Sequence, residues 1–247
     1  MEKVENINPY DGNAPKDGQV ERMFDSIAPA YDFMNRAMTF GLHRRWLHHL
    51  VAAASATESQ RVLDIATGTG DVAIALAQAM SGASITGMDL SEGMLARARA
   101  KAADKGLKIG FVRGDALATG LPSGTYDLIT VAYGVRNYAD LRRGMEEACR
   151  LLCAGGHLLV LELCEPSNPL MRAGYRLYSR TLIPFVGRLV SHDTSAYSYL
   201  PRSIAACPQR YAMTSLMEMA GFEKAVYRSL FPGVCALYSA RKPLDKQ

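Results

Sequence analysis

Between residues 61 and 162 the chain alternates two spacings of apolar positions. Short β-prone runs occur at Arg61 to Ile65, Ser84 to Met88, Lys108 to Arg113, Tyr126 to Ala132 and His157 to Glu162. Interleaved with them are segments of helical periodicity, Asp71 to Met80, Glu92 to Lys105 and Asp140 to Leu152. Ser91 suits the N-cap of the second helix, and Gly155-Gly156 marks a turn after the third. This alternation predicts a parallel sheet with helices on both faces. A ligand is expected at the carboxyl ends of the strands, where Asp64, Asp89, Asp115 and Ala132 fall. After residue 162 the pattern breaks. A Tyr/Arg/Leu segment (168–190) and a polar stretch (191–208) precede a helix at 209–220 and a strand pair, 222–230 and 234–241. Residues 1–19 are polar and rich in Asn, Asp, Gly and Pro, which predicts a flexible N-terminal tail. Residues 20–247 then form a single domain, with a helical insert around 163–208 on its substrate side.

Composition narrows the class. A chain of 247 residues with 49% hydrophobic content can bury a full core, as one α/β domain does. The net charge of +4, with no Lys/Arg block, gives no footprint for a nucleic-acid partner. Five cysteines (Cys149, Cys153, Cys164, Cys207, Cys235) contain no C-x-x-C pair. That odd number, without a signal peptide, predicts reduced thiols in a cytoplasmic protein. His43, His48 and His49 lie away from the cysteines, so no metal site is expected. No apolar run reaches the length of a membrane span.

The densest chemistry lies at Leu63-Asp64-Ile65-Ala66-Thr67-Gly68-Thr69-Gly70-Asp71, a strand, a turn of small residues and a helix start. Gly68 and Gly70 permit positive φ and close approach of a ligand, and the helix start offers free N–H groups. Two cofactors fit. The run from Gly68 to Ala73 satisfies the dinucleotide pattern, a weak signal alone. The charges favour S-adenosylmethionine, whose sulfonium and ammonium are attracted by Asp64 and Asp71, whereas a pyrophosphate is repelled. No Lys or Arg lies between Leu63 and Met88 to offset those acids. Asp89 can accept the ribose hydroxyls and Asp115 the adenine amino group. Asp71 can also be read as an ordinary first-turn acid.

Longer motifs point further. Tyr31-Asp32-Phe33-Met34-Asn35 with Thr39, His43 and Trp46, the run Gly87 to Leu95, Tyr133-Gly134-Val135-Arg136-Asn137, and Tyr197 to Pro201 with Ser203-Ile204 resemble the ubiquinone/menaquinone biosynthesis C-methyltransferases. The resemblance covers about residues 20–241 and is closest to the menaquinone branch. Thr39 stands where Ser is usual, and Cys153-Ala154 where Lys-Pro is usual. The resemblance implies a Rossmann-like class I methyltransferase with a mostly parallel seven-stranded sheet and the last strand antiparallel. It implies S-adenosylmethionine held near Asp64, with Gly68, Thr69 and Gly70 at the methionine part. Asp89 would meet the ribose, Asp115 and Ala116 the adenine, and Ala132 the same cofactor from the fourth strand. The implied reaction converts a demethylmenaquinol, a 2-polyprenyl-1,4-naphthoquinol, to menaquinol. C-methylation of a 2-polyprenyl-6-methoxy-1,4-benzoquinol is the alternative, and a dinucleotide-dependent oxidoreductase a distant one.

Methylating a quinol carbon requires a base for the neighbouring hydroxyl and a cation or donor for the resulting phenolate. Arg136, with Asn137 beside it, is the candidate for the second role, and a structural ion pair is its plainer reading. The base stays open among Tyr31, Asp32 and His43, with His192, Asp193, Tyr197 and Tyr199 further along. In the 168–190 segment Arg172, Arg176 and Arg180 share one helix face and no acid occurs. Such a helix suits peripheral contact with the inner face of an anionic membrane that holds the polyprenyl quinol. The competing reading is a lid packed on the domain or on a homodimer partner.

Overall fold

The computed structural model describes residues 3–10, 12–190 and 194–245, with backbone alone for 180, 182–190 and 194–197. Three helices come first, α1 (Lys16–Ile27), α2 (Tyr31–Met38) and α3 (Leu42–Ser55). Then follow β1 (Arg61–Ile65), α4 (Asp71–Ala79), β2 (Ser84–Asp89), α5 (Glu92–Asp104), β3 (Gly110–Arg113), β4 (Tyr126–Ala132), α6 (Leu141–Leu151) and β5 (Leu152–Leu163). The chain closes with α7 (Pro169–Val190), α8 (Thr194–Ala206), α9 (Tyr211–Met219), β6 (Glu223–Leu230) and β7 (Cys235–Arg241).

The seven strands lie in the order β3-β2-β1-β4-β5-β7-β6. Pairing is parallel from β3 to β5, and β7 runs antiparallel between β5 and β6. Successive residues of a strand serve opposite faces. Leu63, Ile65, Ile129, Val131, Leu158 and Val160 pack against α6 and α9, whereas Val62, Leu128, Leu159 and Leu161 pack against Trp46 and Leu50 of α3 and Leu76 of α4. Burial on both faces explains why the central strands read as continuous apolar runs. After β1 the chain moves outward to β2, and after β4 it moves the other way to β5. The resulting crevice lies between the carboxyl ends of β1 and β4, the topological switch point where open sheets bind ligands. The helices α1 and α2, with α8, form a third apolar cluster around Met23, Ile27, Met34 and Tyr199.

Three sequence expectations change. Residues 3–10 pack on the domain and do not stand off it as a tail: Val4 is 1% and Ile7 3% exposed. Two apolar residues in a polar run anchor it, and buried Lys16 donates to the Val4 carbonyl at 2.5 Å. The Gly155-Gly156 pair lies within β5 and ends no helix. Gly155 adopts φ +75, and the register steps from Tyr126↔Leu152 to Leu128↔His157, a bulge that absorbs the extra residues. Much of the polar 191–208 stretch is the helix α8, with Pro201 inside it. Among the described residues no helix is long and apolar enough to cross a membrane.

Candidate active site

Two turns build the rim of the crevice. After β1, Ala66 (φ 55), Gly68 (φ 56) and Gly70 (φ 81) adopt left-handed conformations, and after β4 so does Tyr133 (φ 58). Ala66 and Tyr133 carry side chains in that region, a strain of order 1 kcal/mol or more each that packing must hold. The turns touch at Gly134, where a Cβ would stand 2.6 Å from the Cβ of Ala66.

The first cavity, of about 90 Å³, opens at these turns. Gly68, Asp89, Asp115, Ala116 and Ala132 line it. Asp89 accepts from Gly68 N–H at 2.8 Å and from Ser91 N–H at 2.9 Å. Burial raises its pKa and these backbone bonds oppose the rise. Asp115 uses Oδ1 for the N–H of Leu117 at 2.9 Å. Two acids from α1, Asp17 and Glu21, also line the cavity and were not singled out from the sequence. Their i, i+4 spacing on one helix face was the available signal. Glu21 is ion-paired with Arg113 at 2.5 Å, yet among the described residues no Lys or Arg lines the cavity itself.

Asp64 and Asp71, the acids that first argued for a cationic ligand, are placed elsewhere. Asp64 is buried beneath the turn, accepting from Thr67 and Thr130 hydroxyls at 2.6 Å each. Burial lifts its pKa to about 7 against those two bonds. It buttresses the loop and lines neither cavity. Asp71 is ion-paired with Lys101 of α5. Lys101 also reaches Asp32 at 2.9 Å and Thr69 Oγ1 at 3.1 Å, and Thr69 donates to Asp32 at 2.6 Å. Thr69 and Gly70 therefore shape the turn, while Gly68 faces the cavity. Asp32, held by Lys101 off both cavities, is not placed to act as a base. The acid-lined wall of Asp17, Glu21, Asp89 and Asp115 makes the same electrostatic case with different residues: it suits a cation and disfavours a pyrophosphate.

A second cavity, of about 330 Å³, adjoins the first. Met34, Met38, Leu42 and Trp46 give it an apolar wall, and Tyr31, His43, Arg136 and Asn137 also line it. Phe24, Tyr31, Tyr133 and Asn137 line both cavities, so ligands in the two would meet there. Arg136 is 6% exposed on a single 3₁₀ turn, Val135–Asn137. Its Nη1 donates to Glu162 at 2.7 Å and to the Tyr133 carbonyl at 2.5 Å. Among the described residues its Nε is buried without a hydrogen-bond partner. Burial works to lower the pKa of Arg136, but the adjacent carboxylate of Glu162 prevails and raises it. Asn137 accepts from the Tyr199 hydroxyl at 3.1 Å and donates to the Tyr133 carbonyl at 3.3 Å. His192 and Asp193 lie outside the described residues, as does the Tyr197 side chain.

Of the three arginines read on the insert face, Arg172 and Arg176 have described side chains, and that of Arg180 lies outside the described residues. Arg172 donates to the Pro166 carbonyl at 2.9 Å, and Arg176 pairs with Glu165 at 2.9 Å, an acid just outside the segment read from the sequence. Arg176 is therefore ion-paired, whereas Arg172 bonds to a neutral carbonyl and keeps its charge.

Comparison with known proteins agrees with this geometry. The chain matches the ubiE/COQ5 methyltransferase family over residues 13–242. A demethylmenaquinone methyltransferase of Bacteroides fragilis is 41% identical over 96% of this chain and 98% of its own. A ubiquinone/menaquinone biosynthesis C-methyltransferase of Syntrophotalea carbinolica is 40% identical over 90% of this chain and 93% of its own. Among solved structures, a SAM-dependent methyltransferase of Thermotoga maritima, described as a possible histamine N-methyltransferase, has a TM-score of 0.63 at 20% identity, covering 90% of this chain and 99% of that one. The [4+2]-cyclase SpnF also reaches 0.63, at 17% identity over 94% and 98%. A cyclase beside a methyltransferase shows that this likeness carries the fold alone.

Proposed function

The chain belongs to the ubiE/COQ5 methyltransferase family, and from that premise we propose that it methylates a ring carbon of a demethylmenaquinol, with S-adenosylmethionine as methyl donor. The donor, when bound, supplies an electrophilic methyl group. The observation that carries the proposal is the junction of two unlike cavities, one lined by acids and one apolar, at Tyr31, Tyr133 and Asn137. Asp89 would hold the ribose, Asp115 with Ala116 the adenine, and Gly68 the methionine part. The apolar cavity would take the quinol ring. Phe40 lines it and is 76% exposed, so a polyprenyl tail has an exit to the surface there. Arg136 lines that cavity, and its guanidinium would stabilise the ring oxygen as negative charge develops. In-line displacement makes holding the two reactants together the remaining contribution.

The naphthoquinol is favoured by the 41% identity to a protein named for demethylmenaquinone, while the Syntrophotalea relative's name includes ubiquinone. The test is a direct assay. Purified protein is titrated with S-adenosylmethionine by calorimetry, then given a short-chain demethylmenaquinol or a methoxy-benzoquinol, and products are read by mass spectrometry. Saturable binding and faster conversion of the naphthoquinol are expected. Absence of cofactor binding would overturn the methyl-donor reading, and faster methylation of the benzoquinol would reverse the acceptor.

A further inference from the structure

Among the described residues, no carboxylate lines the larger cavity. Its ionisable groups are Arg136, His43 and the tyrosines at 31, 133, 175, 178 and 199. A guanidinium does not accept a proton at neutral pH. Burial raises the pKa of each of those tyrosines, which leaves them neutral and poor acceptors. His43 remains, and its hydrogen placement follows from two distances. Thr39 Oγ1 stands 2.6 Å from the Asn35 carbonyl oxygen. Two oxygens that close need a hydrogen between them, and only the hydroxyl has one, so Thr39 donates to Asn35. A lone pair of the same hydroxyl then faces His43 Nδ1 at 2.9 Å, which makes Nδ1 the donor. A neutral imidazole with its hydrogen on Nδ1 keeps a bare lone pair on Nε2. Among the described residues nothing donates to that nitrogen.

We propose that His43 Nε2 accepts the proton of the quinol ring hydroxyl, and that Thr39 is the positioning residue that holds the imidazole in this accepting form. The role rests on the quinol reading above. The ring O–H bond breaks, its proton moves to Nε2, and its electron pair activates the neighbouring carbon. That carbon forms a bond to the methyl group as the methyl–sulfur bond breaks, with the pair left on sulfur. The carbon then loses its hydrogen as a proton, aromaticity returns, and the imidazolium gives its proton back to the ring oxygen. One proton is released overall, which balances the positive charge lost from the sulfonium.

The neutral form must be available. Burial is the largest influence on His43 and lowers its pKa below 6.5. Arg44 and Arg36 act in the same direction, while Asp71 and Asp32 oppose them.

The first test needs no ligand. Long-range ¹H–¹⁵N spectra of the wild-type protein, with His43 assigned by its loss in H43N, report which nitrogen carries hydrogen. Protonated Nδ1 and bare Nε2 are expected, and the opposite tautomer would overturn the proposal. The second is kinetic. H43N should lose about 100-fold or more in kcat, the scale of general-base catalysis. It should keep its S-adenosylmethionine affinity and lose the acid limb expected of wild type below pH 6.5. Retained kcat within about threefold, or a retained acid limb, would overturn the role. T39V should mix the two tautomers and lower kcat roughly tenfold, and T39S, which keeps the hydroxyl, should restore both. A wild-type protein that makes no methylated quinol defeats the reading of function. Wild type and H43N methylating equally well defeats only the base.

Discussion

The two cavities of this enzyme are built by opposite strategies. The smaller cavity, the proposed donor cleft, is assembled mainly from consecutive strand–turn units, β1 to β4, each of which ends at the same edge of the sheet. The larger cavity, proposed for the acceptor, gathers residues from α1, α2, α3, the turn after β4, and the helices α7 and α8. The first is a property of the sheet and is common to the fold. The second depends on helices added before and after it, which pack on one another through Met23, Ile27, Met34 and Tyr199. The lesson is that the strand-end part of the smaller cavity travels with local sequence, whereas its α1 wall and the larger cavity depend on how distant segments meet.

The largest effect should come from Arg136, which lines the larger cavity next to the shared residue Asn137. Arg136→Met leaves Glu162 buried without its cation, which should cost about 3–5 kcal/mol. The double variant Arg136→Met/Glu162→Met should recover most of that stability in urea melts while activity stays down by about 100-fold or more. Recovery of activity together with stability would reduce Arg136 to an ion-pair role. Gly134→Ala comes next. Its Cβ would press on Ala66 and Val131, so the turns must part, at about 1–3 kcal/mol and with weaker cofactor binding in calorimetry. Unchanged affinity would separate the rim from the donor site.

A smaller effect concerns Lys16, which ties the N-terminal segment to the Arg136 carbonyl at 3.4 Å as well as to Val4. Burial lowers its pKa from 10.5 to about 8, so between those values the unfolded chain binds more protons than the folded one. Stability from this group is therefore lowest below pH 8 and rises toward pH 10.5, by at most about 3 kcal/mol. Lys16→Met should flatten that rise in melting temperature against pH, and an equal slope in both proteins would contradict it. Smallest of all, Arg176→Ala removes a half-exposed pair with Glu165 and should change stability by less than about 1 kcal/mol. A larger loss would mean that α7 depends on it.

Much of the sheet was legible in advance. The strand runs at 61–65 and 126–132 coincide with β1 and β4, and the Gly68 turn and Asp89 lie where the alternation put them. The N-terminal segment was less legible, because Val4 and Ile7 are single apolar positions with no period to announce them. The candidate bases illustrate the same limit. Asp32 and His43 lie in one motif, yet Lys101 holds the first away while the second lines the larger cavity.

Period and turn chemistry act over a few residues, so the alternating strands, the glycine turn and the carboxyl-edge crevice were readable from the chain alone. Charge pairing acts through space. Lys101 meets Asp71 from thirty residues away and Glu162 meets Arg136, pairings that no local pattern encodes, and the like charges of Asp17 and Asp89 are brought to one wall in the same way. Coulomb energy depends on separation and surrounding dielectric, both set only when the helices close over the sheet.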